Sequence, residues 1–314
     1  MLHRLSSVFV AAVLVFASAG ASLAAQAYII VDSQSGFVLQ EHESKQKRQV
    51  GSLTKVATAM VVLDWAEKRS GDLNQVATIP PEAFAGSENN VGFQPGDTAT
   101  LRDLLYAALV QSDNIAAYTL AAHVGQALQG IVPAPSGNAS PVGVFVSQMN
   151  ALAANLKMTR TLFVNPHGLD AAVKPMPYST AADLARLTRY AMNKAAFRFY
   201  VSQKERQITY NRAGKSMAYV LRNTNEMLGV NGVEGVKTGR TARAGDCLIL
   251  SAQRQAEVIK QGPTSATVIP RHLIVVLLGS TNRFADGEQL LNAGWGLYEQ
   301  WAASGRPLDP KKTL

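Results

Sequence analysis

Apolar runs with β character lie near both ends of the chain, and helical spacing of apolar residues dominates the middle. Residues 27–31 are strand-like, residues 32–36 are rich in turn formers, and residues 37–39 are apolar again, which predicts a β-hairpin. Beyond the next glycine, apolar residues between 56 and 66 recur at helical spacing. This spacing places Ser52 at or just inside the start of a helix.

The middle of the chain predicts several helices separated by irregular segments. Residues 79–100 contain many Pro and Gly residues, and residues 133–143 form a Pro/Gly/Ser-rich loop. A polar triplet that begins at Ser112 interrupts the pattern between the first two helices. The predicted helices span residues 101–110, 115–124, 144–157 and 180–195.

The last third of the chain changes to β character and then ends in a helix. Residues 235–239 lead into an apolar run at 247–252, and residues 273–278 form a second β-rich run. Between these runs, residues 254–271 are polar and contain Pro and Gly, which predicts an irregular connection. Residues 285–302 predict a final amphipathic helix.

These elements predict a fold of the α/β (α+β) class, in which helices flank an antiparallel sheet built from both ends of the chain. The sheet region comprises residues 26–75 and 228–306, and a helical subdomain of residues 76–227 is inserted between them. Residues 26–306 would then form one domain, followed by a polar tail of residues 307–314.

The first 25 residues have the features of a secretory signal peptide. A positive residue, Arg4, precedes an almost continuously apolar run at 8–16, and small residues follow. We therefore expect cleavage after Ala24 or Ala25. The alternative is an uncleaved N-terminal anchor, which the short apolar run disfavours.

The composition argues against several other classes of protein. The net charge is +8, but the positive residues are scattered, which is not typical of nucleic-acid binding. The five histidines lack metal-ligand spacing and no glycine-rich phosphate loop is present, so we expect neither a metal nor another cofactor. Cys247, the only cysteine, lies in an apolar stretch, which predicts a buried structural thiol.

Three short motifs in a particular order carry the candidate chemistry. Each motif alone is weak, because a serine at a helix start or a lysine in a turn usually has a structural role. The motifs are Ser52-Leu53-Thr54-Lys55, Ser112-Asp113-Asn114 and Lys237-Thr238-Gly239. The ordered set is much harder to obtain by chance, and it resembles the signature of penicillin-recognising serine enzymes.

Ser52 and Lys55 are three residues apart, so they share one face of a helix. A serine hydroxyl becomes a strong nucleophile only when a base takes its proton, and a lysine is a base only when its amine is neutral. Burial and a nearby cation both lower the pKa of a lysine, and Lys237 is a candidate for that cation. We therefore expect Ser52 to be the nucleophile and Lys55 the base, with the Ser52 N–H as half of an oxyanion hole.

The other motif residues offer binding groups around that pair. Ser112 can relay a proton between the amine and a leaving group, and Asn114 can hold a peptide amide because it is both donor and acceptor. Lys237 and the Thr238 hydroxyl can bind a terminal carboxylate. Gly239 has no side chain, so a substrate backbone can lie against its strand.

With these residues, the chain resembles the D-alanyl-D-alanine carboxypeptidases, the low-molecular-mass penicillin-binding proteins of serine peptidase family S11. The likeness extends over residues 27–301, which is nearly the whole chain beyond the predicted signal peptide. Further matching segments are residues 165–170, 179–184, 223–225, 232–236 and 244–248.

The resemblance implies a β-lactamase/transpeptidase-like fold and hydrolysis through an acyl-enzyme. Ser52 would attack the penultimate D-Ala carbonyl of a peptidoglycan stem pentapeptide, the terminal D-Ala would leave, and water would release the tetrapeptide. Lys55 would be the base, with Ser112 and Asn114 assisting. The Arg240 backbone N–H would complete the oxyanion hole.

The resemblance also implies a binding site and partners. Lys237 and Thr238 would hold the substrate carboxylate, and Arg283 matches a family arginine near it. Asp183 matches an aspartate associated with a loop that borders the site, although we expect His167 and Asp183 to be structural. The implied partners are peptidoglycan stem peptides and β-lactam antibiotics, the latter as covalent inhibitors.

The chain departs from the family pattern in its second motif and at its end. The second motif is Ser-Asp-Asn where the family commonly has Ser-Gly-Asn, and this form also occurs in class A β-lactamases. Those enzymes need Glu-x-x-Leu-Asn before the third motif, whereas the match at 288–292 follows it, so we expect no strong penicillinase activity. The tail at 307–314 is too short and polar for the membrane-anchoring helix of many relatives, which predicts a periplasmic or secreted enzyme without a C-terminal anchor.

Two other functions stay open at this point. The same site would serve a DD-endopeptidase, which cuts the cross-link between stem peptides and has a bulkier leaving group. A catalytically silent peptidoglycan-binding protein would keep the groove but lose the nucleophile or the base. All the expected groups are present in this sequence, which disfavours the silent protein.

Overall fold

The structure is a computed structural model that describes residues 23–132, 140–170, 174–262 and 265–314. The predicted signal peptide lies almost entirely outside these residues, as does most of the loop predicted at 133–143. Within the described ranges, no helix combines the length and the apolar character needed to cross a lipid bilayer.

Nine strands and seven α-helices make up the described part of the chain. The strands are β1 (Ala27–Asp32), β2 (Val38–His42), β3 (Val76–Thr78), β4 (Thr98–Thr100), β5 (Glu205–Arg212), β6 (Lys215–Arg222), β7 (Val233–Thr241), β8 (Gly245–Lys260) and β9 (Ala266–Ser280). The helices are α1 (Lys55–Lys68), α2 (Leu101–Val110), α3 (Asn114–Leu128), α4 (Pro141–Asn155), α5 (Ala181–Met192), α6 (Ala195–Val201) and α7 (Arg283–Ala303).

Five antiparallel strands from the two ends of the chain form the main sheet, in the order β2-β1-β9-β8-β7. The first and last strands of the chain meet in its centre, where Ile30 of β1 pairs with Val275 of β9. The predicted antiparallel sheet flanked by helices is therefore confirmed. β7 lies at one edge of this sheet, which leaves its outer side without a strand neighbour among the described residues.

Both faces of the main sheet are buried, which explains the continuous apolar runs in its central strands. On β1, Ile29 and Val31 join the core beneath α1 to α6, whereas Ile30 faces the second core beneath α7. Trp295 of α7 is fully buried against that second face. Successive residues thus point alternately into two different cores.

Helix α1 runs through the interior of the helical side of the protein. Every residue from Lys55 to Leu63 is buried, so the helix is enclosed on all sides over its first two turns. This packing carries the amine of Lys55 into the core.

A second, four-stranded sheet, in the order β3-β4-β5-β6, lies within the region predicted to be a helical insertion. Its long hairpin, β5–β6, turns at Ala213 and Gly214, which both have positive φ, as two-residue hairpin turns require. Most residues of this hairpin are at least partly exposed, and only Ile208, Tyr210 and Leu221 are buried. No strand was predicted there, and the division of the chain into sheet region and insertion stays a prediction.

The prediction of an irregular connection at residues 254–271 is wrong. β8 and β9 continue through it as a two-stranded ribbon, with pairs from Arg254–Arg271 to Lys260–Ala266 and one irregularity between them. The ribbon extends past the ends of both neighbouring strands, and most of its residues are exposed. Its residues therefore lack the apolar pattern of a buried strand, and Val258 and Val268 are more than half exposed.

Cys247 of β8 is fully buried between the sheet and the helices, as predicted. Burial raises the pKa of its thiol to about 11. The thiol is therefore protonated and shielded at neutral pH.

Candidate active site

Ser52 and Lys55 lie where a 3-10 turn, Gly51–Thr54, joins α1. Gly51 has a φ of +53°, which lets the chain enter this turn sharply. Ser52 is partly exposed at the turn, whereas Lys55 is fully buried. The Lys55 Nζ lies 2.8 Å from Ser52 Oγ, so the predicted pair is in direct contact.

Two oxygen atoms complete the surroundings of the Lys55 amine. Asn114 Oδ1 lies 2.7 Å from Lys55 Nζ, and the carbonyl oxygen of His167 lies 3.0 Å from it. Both oxygens can only accept hydrogen bonds, so each takes an N–H of the amine. A neutral amine has two N–H groups and one lone pair, and the lone pair then faces the Ser52 hydroxyl.

Burial lowers the pKa of Lys55 to about 7, so a large fraction of the amine is neutral near neutral pH. The negative charges of Asp113 and Glu88 act in the opposite direction and raise this pKa. We expected Lys237 to help lower it, but burial is the cause that the structure supports. The pKa of Lys237 is itself lowered, by its own burial and by Lys55.

Ser112 and Asn114 belong to the turn between α2 and α3, where the sequence pattern placed them. Ser112 has a φ of +64°, an uncommon conformation for a residue with a side chain. Asn114 is the first residue of α3, and Asp113 caps that helix by accepting the Ala116 N–H at 2.7 Å. The cap fixes the direction in which Asn114 leaves the turn, towards Lys55.

Lys237, Thr238 and Gly239 lie on the edge strand β7, beside the turn that carries Ser52. A Cβ atom on Gly239 would lie 2.7 Å from the Val50 carbonyl oxygen, so only glycine allows this close approach. Arg240 is near the same turn, since a Cβ on Gly51 would lie 3.0 Å from the Arg240 nitrogen. The backbone of β7 thus reaches the start of α1.

The side chains of β7 form a cationic end of the site together with α7. Lys237 is buried and donates a hydrogen bond to the Thr238 carbonyl at 3.1 Å, and the Thr238 hydroxyl lies 2.6 Å from that of Thr224. Arg283, at the start of α7, donates to the Gly239 carbonyl at 2.8 Å. After burial and Lys55, the charge of Arg283 also lowers the pKa of Lys237.

An open cavity of about 720 Å³ lies above these groups. Lys55 and Lys237 are buried beneath its wall, whereas the other predicted site residues line it directly. These lining residues are Ser52, Ser112, Asn114, Thr238, Gly239, Arg240 and Arg283. The structure therefore brings all nine predicted site residues to one place.

Sequence reasoning missed the contribution of His167, which was expected to be structural. Its backbone carbonyl holds Lys55, and partial burial together with Lys55 lowers the pKa of its ring to about 3, so the ring is neutral. The segment is held by Asn165 Oδ1, which accepts the Gly168 N–H at 2.7 Å. A backbone carbonyl has no signature in the sequence. The one sequence feature that indicated this segment was its match to the family at residues 165–170.

Asp183 has the structural position that we expected. It accepts hydrogen bonds from the Arg160 N–H at 2.9 Å and from the Thr161 hydroxyl at 2.8 Å. These contacts attach the start of α5 to the segment that leads towards His167. Asp183 does not line the cavity.

The site consists of a serine in contact with a buried lysine, below an open cavity at the edge of this sheet. This arrangement is that of a serine hydrolase. Residues 14–261 match the Peptidase S11 family, described as D-alanyl-D-alanine carboxypeptidase. The chain belongs to this family.

Individual relatives and solved structures agree with that assignment. The chain is 30% identical over 304 residues to D-alanyl-D-alanine carboxypeptidase DacC of Escherichia coli strain K12, covering 93% of this chain and 66% of DacC. The crystal structure of the Streptomyces K15 DD-transpeptidase superposes with a TM-score of 0.73 at 28% identity, covering 88% of this chain and 98% of that one.

Another similar structure is penicillin-binding protein D2 of Listeria monocytogenes in its ampicillin-bound form. It has a TM-score of 0.65 at 25% identity, and the match covers 88% of this chain and 99% of that one. The comparisons also include relatives named D-alanyl-D-alanine endopeptidase. The predicted β-lactamase/transpeptidase-like fold is confirmed by these structural neighbours.

Proposed function

We propose that this protein is a serine DD-carboxypeptidase that removes the terminal D-Ala from peptidoglycan stem pentapeptides. The observation that carries the proposal is the 2.8 Å contact between Lys55 Nζ and Ser52 Oγ, with two further oxygen atoms within hydrogen-bonding distance of the amine. Family membership supports the substrate class, because the matching family is described by this reaction.

In the proposed acylation step, Lys55 takes the proton of Ser52 as Oγ attacks the carbonyl of the penultimate D-Ala. The backbone N–H groups of Ser52 and Arg240 stabilise the oxyanion that forms. The proton then passes through Ser112 to the nitrogen of the leaving D-Ala. Water releases the tetrapeptide from Ser52 in a second step, with Asn114 holding the peptide amide.

Binding of the substrate follows from the charge and shape of β7. Lys237, Thr238 and Arg283 form a cationic and polar end that suits the terminal carboxylate. The outer side of β7 has no strand neighbour among the described residues, so the stem peptide can pair with it as an added strand. Because Gly239 has no side chain, it leaves room for that peptide, just as it allows the close approach of the turn that carries Ser52.

The same geometry supports β-lactam antibiotics as covalent inhibitors, since they carry a carboxylate and a reactive carbonyl. The ampicillin-bound relative from Listeria is consistent with this. Because the family acts on the bacterial cell wall, we propose a periplasmic or secreted location, reached through the signal peptide at residues 1–25.

DD-endopeptidase activity is the second candidate. Relatives named D-alanyl-D-alanine endopeptidase are among the matches, and the open cavity of about 720 Å³ has room for a bulkier leaving group. The catalytic groups would be the same in both reactions. Only the peptide beyond the scissile bond differs.

The test is to incubate the protein, without residues 1–25, with purified pentapeptide and with cross-linked dimeric muropeptide. Mass spectrometry is expected to show loss of one alanine from the pentapeptide, and none with Ser52→Ala. Conversion of the dimer to monomers, without alanine release, would favour the endopeptidase. No turnover of either substrate and no labelling of Ser52 by a fluorescent penicillin would leave a silent binding protein and refute the proposal.

The rate of acylation by a penicillin is expected to rise with pH and level off above the pKa of Lys55, about 7. Only the neutral amine accepts the serine proton, so the rate should fall by about tenfold per pH unit well below that value. Initial labelling rates across the range of native stability measure this profile. A midpoint near that of a free lysine, about 10, would contradict it.

A further inference from the structure

Asp113 is fully buried and binds three backbone N–H groups from two different segments. Its Oδ1 accepts the Ala116 N–H at 2.7 Å, which caps α3. Its Oδ2 accepts the N–H groups of Asn90 and Val91, at 3.0 and 3.2 Å. One carboxylate therefore joins the α2–α3 turn to a loop that is more than twenty residues away in the chain.

That loop, residues 85–93, is named here the wall loop because it borders the cavity. Ala85, Gly86, Glu88 and Asn90 line the cavity next to the turn that carries Ser112. The loop has no regular secondary structure. Its position therefore depends on its attachments to neighbouring elements.

The wall loop is held at Asn90 through both backbone polar groups of that residue, its N–H and its carbonyl. Asp113 takes the N–H, while Gln111 Nε2 and the Tyr219 hydroxyl donate to the Asn90 carbonyl at 2.8 and 3.0 Å. Gln111 also donates to the Tyr219 hydroxyl at 2.7 Å, so these groups form one network. Asp113 supplies the carboxylate of this network. Burial raises the pKa of this carboxyl, while the three N–H groups that it accepts act in the opposite direction.

We propose that Asp113 is a positioning residue for acylation, because its carboxylate fixes the wall loop and the Ser112–Asn114 turn in one arrangement. The inference rests on the proposed function and goes beyond it. Hydrogen bonds to an ionised carboxylate are stronger than neutral ones, and a glycine at this position cannot make them. The strained φ of Ser112 also requires surroundings that hold the turn.

The negative charge of Asp113 raises the pKa of Lys55. The titratable groups that face Lys55 are Asp113 on the turn, Glu88 on the wall loop, Lys237 on β7 and the neutral His167. The negative charges of Asp113 and Glu88 both stabilise the protonated form of Lys55. Removing the charge of Asp113 therefore lowers the pKa of Lys55, and the acid limb of the acylation profile moves to lower pH.

The testing variant is Asp113→Asn. The amide oxygen can still cap α3, but the NH₂ group that replaces Oδ2 cannot accept from Asn90 and Val91. The matched control is Asp103→Asn, which alters a carboxylate in the first turn of α2 that does not line the cavity. If Asp113→Asn fails to fold, Asp113→Ser replaces it, because serine is also a good helix cap but is too short to reach the wall loop.

Two measurements are made on each variant. Amide hydrogen exchange at Asn90 and Val91 is expected to become at least about tenfold faster in Asp113→Asn and to stay unaltered in Asp103→Asn. Acylation by a fluorescent penicillin is expected to slow by about 10- to 100-fold at its optimum, with its midpoint moved to lower pH.

Unaltered exchange in the wall loop would overturn the proposal, as would a rate that falls by the same factor at every pH. Failure of the proposed function is a separate outcome, because it appears as absence of Ser52 labelling in the unaltered protein. The exchange measurement does not depend on activity, so it reports on the attachment by Asp113 in either case.

Discussion

Replacing Lys55 with methionine is expected to slow acylation by a penicillin by about 10⁴-fold while leaving the fold intact. Among the described residues, Lys55 Nζ is the hydrogen-bonding partner of Ser52 Oγ, so its removal leaves the serine without a base. Methionine is unbranched and of similar length, and it fills buried space without a charge.

The stability of this variant separates lost chemistry from lost structure. The unfolded chain keeps a proton on Lys55 up to its ordinary pKa of 10.5, whereas the native protein keeps it only up to about 7. The unfolded state therefore binds more protons between these values, so burial of Lys55 destabilises the native state at neutral pH. Methionine removes that cost, and the melting temperature is expected not to fall.

The measurement is the initial rate of labelling by a fluorescent penicillin, together with thermal unfolding. Lys68→Met, at the exposed end of the same helix, is the matched control and should label at the normal rate. A Lys55→Met protein that labels within about tenfold of the unaltered protein would show that another group takes the serine proton.

Replacing Gly168 with alanine is expected to destabilise the protein by about 3 kcal/mol and to impair acylation as well. Gly168 has a φ of +87°, and a Cβ atom there would lie 1.9 Å from the Gly51 carbonyl oxygen. Either Gly168 or the turn that precedes Ser52 must move. Because His167 is the adjacent residue, its carbonyl would also shift away from Lys55.

Gly96→Ala is the matched control for this experiment. Gly96 has a φ of +88°, but a Cβ there would meet nothing within 4 Å. That variant carries only the conformational cost of about 1 kcal/mol and should acylate normally. If denaturant unfolding shows an equal loss in the free energy of unfolding for both variants, the close approach to Gly51 is unimportant.

The candidate site was largely predictable because its side chains belong to short motifs. The spacing of Ser52 and Lys55 already placed them on one face, and the structure brings them into contact. The sequence did not indicate that the carbonyl of His167 completes the amine site, since backbone groups are the same at every position. Nor did it indicate the second attachment of Asp113, which depends on a loop that is distant in sequence.

The fold was predictable where burial imposes a pattern. The strands at the two ends of the chain are buried on both faces, so they appear as apolar runs. The hairpin at 205–222 and the ribbon at 254–271 are exposed over most of their surface, and their polar residues resemble those of loops. Their pairing comes from turn geometry and from continuation of neighbouring strands, which composition does not record.

The shielded thiol of Cys247 makes the protein convenient for spectroscopy. Because the chain has a single cysteine and that cysteine is buried with a raised pKa, maleimide dyes and spin labels should leave the folded protein unmodified. A new cysteine on an exposed position of the ribbon, such as Val258, would then be the sole point of attachment. Fluorophores can be installed there without first removing the native sulfur.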